Sequence, residues 1–125
     1  MTQTNFNTHL GLDTQIAEPG RSSITVTIEP RMLNRAGVLH GGMMMTIMDT
    51  LMGHAAYSLL RDEETVVTSS MTTHFLEPAS AGEIRGEGVV IADNGGYLLA
   101  EARLKNSRDQ TIAFARGQFS RLRTP

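Results

Sequence analysis

The segment over residues 42–60 constrains this chain more than any other. Its apolar residues Met44, Ile47, Met48, Leu51, Met52, Ala55, Ala56 and Leu59 recur at three- and four-residue spacing, and little polar surface is left opposite them. The spacing is helical, and a helix apolar nearly all round must be wrapped by other elements rather than laid on a surface. The rest of the chain supplies the wrapping, because its periodicity is that of strands. Residues 22–28 alternate, with Ile24, Val26 and Ile28 on one side and Thr25 and Thr27 on the other, until Glu29-Pro30 stops them. Residues 31–39 read as a loop bent at Gly37, and the polar break at 61–64 reads as a solvated loop. Strand patterns then follow over 66–76, 82–91, 97–104 and 111–122, with hairpin signals at Asn94-Gly95-Gly96 and Asn106-Ser-Arg-Asp109. Short turns between consecutive strands require antiparallel pairing, so the expected fold is α+β, an antiparallel sheet wrapped around one long central helix. Residues 6–17 read ambiguously as a short helix or turn and then a strand through Leu10, Leu12 and Ile16, and Gly86 and Gly88 read as bulges.

Bulk properties narrow the function. The 125 residues fit one domain, 1–125, with a core of its own. A net charge of −2 offers no basic field for nucleic acid or an anionic membrane. With no cysteine there is no disulfide, zinc-thiolate site or thiol nucleophile. The first residues lack the basic and apolar regions of a signal peptide, and no apolar run approaches the ~18 residues of a membrane span. The expectation is a cytoplasmic protein that binds neither nucleic acid nor membrane.

The chemistry concentrates at His40-Gly41-Gly42 and at Asp49, the one carboxylate in the apolar helix. A helix start presents backbone N–H groups without intrahelical partners, which suit a developing oxyanion, and a half-buried carboxylate suits proton transfer. Both point to acyl chemistry. Gly41 and Asp49 lie eight residues apart, about 12 Å along a helix at 1.5 Å per residue. One helix cannot easily bring both groups to one carbonyl. A two-fold axis between antiparallel helices would set the Asp49 of one chain opposite the Gly41 of the other.

These residues resemble the hotdog-fold acyl-CoA thioesterases of the phenylacetic-acid-degradation type. Asn34, Gly37, His40-Gly41-Gly42 and Asp49 stand at the spacing of that family, preceded by His9-Leu-Gly-Leu12, and the resemblance spans essentially the whole chain. It implies a hotdog fold, two subunits joining their sheets edge to edge, and sites between subunits, in a dimer or a dimer of dimers. It implies further that Asn34 and His40 lie near the thioester and that a strand hydroxyl lies near the attacking water. Thr68 matches that hydroxyl best, with Ser69 and Ser70 left open. The substrate would be an acyl-CoA, aromatic or short- to medium-chain, with CoA entering as part of the substrate and no separate cofactor or metal.

Other chemistries lack their patterns. There is no Gly-x-Ser-x-Gly elbow, no dinucleotide fingerprint ahead of a helix and no metal-ligand spacing. His54 follows Asp49 by five residues, ~140° around the helix, so the two share no face. His74 reads as a sheet residue, and the Met43-Met44-Met45 run with Met48 and Met52 reads as core that could also line an adaptable acyl pocket. Arg31, Arg35, Arg85, Arg121 and Arg123 are scattered candidates for the CoA phosphates. A hotdog hydratase or dehydratase and a non-catalytic acyl-CoA-binding protein remain as alternative functions.

Overall fold

A computed structural model of the chain describes residues 5–124. In chain order the elements are α1 (Phe6–Leu10), β1 (Gln15–Glu18), β2 (Arg21–Thr27), a 3₁₀ turn (Pro30–Met32), α2 (Gly41–Tyr57), β3 (Glu64–Phe75), β4 (Glu83–Asp93), β5 (Tyr97–Lys105) and β6 (Thr111–Arg123). The strands form one six-stranded sheet in the order β1-β2-β4-β5-β6-β3, antiparallel at every pairing. The sheet curls around α2, which packs against β2, β3, β4, β5 and β6.

The helix buries Met43 together with Met44, Ile47, Met48, Leu51, Met52, Ala55 and Ala56, the last seven being seven of the eight residues of the apolar stripe. Each large side chain so removed from water contributes about 1.5–3 kcal/mol. The exception is Leu59, 37% exposed, because the helix stops at Tyr57 and Ser58 takes the cap, its hydroxyl donating to the Ala55 carbonyl at 2.7 Å. The alternation of β2 is regular, with Ser22, Ile24 and Val26 buried and their neighbours exposed.

Three expectations change. Residues 6–17 hold the expected short helix and then a strand, but the strand starts later than Leu10 and Leu12. Asn5 Oδ1 accepts the Thr8 N–H at 2.9 Å, Gly11 closes the turn at φ 74°, and the strand is confined to Gln15–Glu18, so Leu10 belongs to the helix. Glu64 opens β3 rather than lying in the loop, and its carboxylate stands 3.5 Å from Arg121. Gly86 and Gly88 are not bulges; both sit in regular register with β2 and β5. Their job is to let the helix approach. A Cβ on Gly86 would lie 2.6 Å from Leu51 Cδ1, and one on Gly88 would lie 2.8 Å from the Leu51 carbonyl oxygen. That same carbonyl accepts a hydrogen bond from buried Ser22 at 2.6 Å, which fixes helix against sheet.

Candidate active site

The loop ahead of α2 is built from Asn34. Its Oδ1 accepts the Ala36 and Val38 N–H groups at 2.9 and 3.3 Å, and Gly37, at φ 79°, completes the turn. Leu33 and Leu39 bridge, and the His40 N–H donates to the Met32 carbonyl at 2.9 Å, so the loop delivers His40 in a fixed position. Asn34 therefore organises the loop with its carbonyl oxygen and keeps its amide N–H₂ for another partner.

His40 is the N-cap of α2. Its Nδ1 accepts the Gly42 N–H at 2.8 Å. A ring that accepts at Nδ1 carries its proton at Nε2 and can donate there, whereas an imidazolium could not accept at all. The cap also explains Gly42, because a Cβ at that position would stand 2.9 Å from His40 Nδ1.

Gly41, between them, is the first helical residue, and its N–H makes no hydrogen bond among the described residues. Its φ is not positive. The Phe75 ring lies beside it, with Cζ 3.5 Å from where a Cβ would stand. Phe75 is 49% exposed, and Met45, one turn beyond Gly41, is 40% exposed.

Two turns into the helix, half-buried Asp49 accepts a hydrogen bond from the Thr68 hydroxyl at 2.7 Å. Ser69 and Ser70 do not share that position. Ser69 is the extra residue of a bulge between Thr68 and Ser70, and its hydroxyl pairs with Ser120 at 2.7 Å. Thr68 and Phe75 are seven residues apart, an odd number that would send them to opposite faces of a regular strand. The bulge changes the phase, so both point at α2. Sequence reasoning missed Phe75 for this reason, since an unseen bulge hides which residues share a face. Each chain thus carries two clusters, Thr68 with Asp49 and Phe75 with Gly41 and His40.

The remaining candidates lie elsewhere. Burial lowers the pKa of His54, and its Nδ1 is enclosed without a hydrogen-bond partner among the described residues. His74 is exposed, beside Phe114 and Arg116 on the sheet face away from the helix. Met43, Met44, Met48 and Met52 are core, leaving Met45 as the exposed member. Arg121 binds Asp93 at 2.7 Å, Arg85 binds Asp109 at 3.1 Å and Arg31 binds Glu29 at 3.2 Å.

The model of the family described as Thioesterase superfamily matches residues 36–113, the span that contains both clusters. The chain belongs to that superfamily. A curated relative from Saccharolobus solfataricus, named "Putative esterase SSO2140", is 32% identical over 107 residues, covering 86% of this chain and 76% of the relative. The Escherichia coli PaaI protein from the phenylacetic acid degradation operon superposes with a TM-score of 0.84 at 26% identity, over 93% of this chain and 83% of that one. The thioesterase HI1161 from Haemophilus influenzae superposes at 0.87 with 20% identity, over 94% and 82% of the two chains, and shows the shared fold. The sheet wrapped on one helix is the hotdog fold of this superfamily, and the chain is a thioester hydrolase whose general reaction is acyl-CoA hydrolysis. No helix among the described residues is long and apolar enough to cross a membrane.

Proposed function

We propose that the protein hydrolyses an aromatic or short- to medium-chain acyl-CoA to the free acid and CoA, at sites shared between two subunits. The observation that carries this reading is the separation of the two clusters. A carboxylate held by the Thr68 hydroxyl and a helix-start N–H without a partner have the properties of a base and an oxyanion donor, yet they are about 12 Å apart on one helix. β3, 12 residues long, is a sheet edge with a neighbouring strand on one side only among the described residues. The unpaired backbone N–H and C=O groups of such an edge call for a cover. Antiparallel pairing of two β3 edges about a two-fold axis near Met71 and Thr72 would bring the Thr68–Asp49 end of one chain opposite the Phe75–Gly41 end of its partner. The active unit in this reading is a dimer or a dimer of dimers, in the cytoplasm.

In the reaction, the Gly41 N–H at the positive end of α2 binds the thioester carbonyl oxygen. Asp49 of the other subunit takes a proton from water as the water oxygen bonds to the carbonyl carbon. The tetrahedral oxyanion collapses, the C–S bond breaks, and the CoA sulfur leaves with the proton returned by Asp49. Direct attack by the Asp49 carboxylate on the carbonyl carbon is the second route. The C–S bond breaks, the CoA thiolate leaves and takes a proton from solvent, and water opens the mixed anhydride at the Asp49 carboxyl carbon to release the free acid. His40, through Nε2–H, and Asn34, through its free amide N–H₂, flank the thioester, and Thr68 orients Asp49. The reading calls for no cofactor beyond the CoA of the substrate and for no metal.

Free-thiol release from a panel of acyl-CoAs tests the proposal. The wild type should release CoA, and Asp49→Asn should lower kcat by ~10²–10⁴-fold with little change in substrate binding, the usual worth of a positioned acid–base group. A folded Asp49→Asn protein with near-wild-type turnover would remove Asp49 from the mechanism. A single turnover in ¹⁸O water separates the routes, because an anhydride opened at the Asp49 carboxyl carbon leaves label in that carboxylate and an unlabelled acid, whereas base-assisted attack puts the label in the acid.

A further inference from the structure

We infer that Phe75 determines acyl specificity, selecting substrates with a flat or unbranched group next to the thioester carbonyl; the inference rests on the proposed oxyanion role of Gly41. Three ring carbons of Phe75, Cζ, Cε1 and Cε2, lie 3.5, 3.6 and 3.8 Å from the point where a Gly41 Cβ would be. A carbonyl oxygen held ~3 Å from the Gly41 N–H therefore places its acyl carbons alongside this ring. The side chain is not needed to seal the core. It stays 49% exposed at the end of β3, whereas its cross-strand partner Ala113 is fully buried.

The strand is also irregular in a way that serves this placement. Without the bulge at Ser69, a strand with Thr68 toward the helix would turn Phe75 away from it, because seven positions separate them. The bulge admits both the hydroxyl beside Asp49 and the ring beside Gly41 to one face. Met45, 40% exposed and one turn along the helix from Gly41, puts a flexible thioether on the same helix face as Gly41.

A flat ring supports a second flat ring by offset stacking and accepts an extended methylene chain, but it leaves no room for a branch on the carbon it faces. An α-methyl group would meet the ring edge.

The test compares phenylacetyl-CoA, butyryl-CoA and isobutyryl-CoA on the wild type, Phe75→Ala, Phe75→Leu and Phe75→Tyr. In Phe75→Ala the kcat/KM ratio of isobutyryl- to butyryl-CoA should rise roughly tenfold, the effect of one methyl group in an apolar site. The KM for phenylacetyl-CoA should rise in Phe75→Ala and stay near wild type in Phe75→Tyr, which keeps the stacking face. If Phe75→Ala does not fold, Phe75→Leu decides, with a smaller rise in the same ratio. A folded variant that scales all three substrates by one factor overturns the inference, since that result marks a structural side chain. Wild-type protein that releases no thiol from any acyl-CoA would instead overturn the functional reading beneath it.

Discussion

At the scale of the residue, the His40-Gly41-Gly42 step has a division of labour. His40 accepts from the Gly42 N–H, Gly42 lacks a Cβ because the imidazole occupies that space, and Gly41 is left with a donor that has no partner among the described residues. That donor can be removed with proline, which has no N–H and fits the first turn of a helix. The backbone permits it, because Gly41 has no positive φ and His40 before it is extended at φ −62°, ψ 134°. Gly41→Pro should lose ~10²–10³-fold in kcat while keeping its circular dichroism and melting close to wild type. Full activity in a folded Gly41→Pro protein would move the oxyanion site to Nε2 of His40 or the Asn34 amide.

His54 makes a different prediction. Its folded-state pKa is lowered from the ordinary 6.5 by burial, so the unfolded chain binds a proton that the folded chain resists. Stability should therefore be complete above pH 6.5, fall as the pH drops through 6.5, and level off below the folded pKa. Denaturant titrations at intervals from pH 8 to pH 5 would show the slope, and His54→Gln should flatten it. An unchanged slope in that variant would assign the dependence to other groups.

At the scale of the element, the sequence was most legible where one period ran uninterrupted. The apolar stripe of α2, the alternation of β2 and the Asn94-Gly95-Gly96 turn each follow from local chemistry, and each appears in the fold. What resisted reading depends on long-range contact. The bulge at Ser69 carries no local signature, so the positions of Thr68 and Phe75 relative to one another were hidden, although Thr68 itself was singled out. Gly86 and Gly88 were misread for the same reason: glycine in a strand signals either a bulge or a close approach, and only the packed helix decides. Gly88→Ala measures that approach. Its Cβ would meet Ser22 Oγ at 2.6 Å and the Leu51 carbonyl carbon and oxygen at 2.9 and 2.8 Å, and backbone cannot swing aside as a side chain can. The variant should lose about 1–3 kcal/mol in urea unfolding. A neutral result would mean that α2 shifts more easily than its hydrogen bond from Ser22 implies.

At the scale of the whole molecule, the sheet order leaves β3 as an edge and puts the two clusters at different points along it. On the proposed shared-site reading, the fold of one chain supplies a complete scaffold but only half of each reacting pair. Composition and motif spacing could indicate a shared site, because helix geometry alone separates Gly41 from Asp49. They could not indicate how the second copy is presented, since an edge strand is defined only once the sheet is assembled.

The proposed shared site requires the Asp49 of one subunit to serve the Gly41 of another. Subunit exchange between an Asp49→Asn chain and a Gly41→Pro chain tests it most directly. Each parent should be nearly inactive, and a mixed dimer should carry both lesions in one site and none in the other. Activity should then return toward half the wild-type level per exchanged dimer as mass spectrometry reports mixed dimers forming. Exchange complete by mass with no return of thiol release would rule out the shared site and assign each site to a single chain.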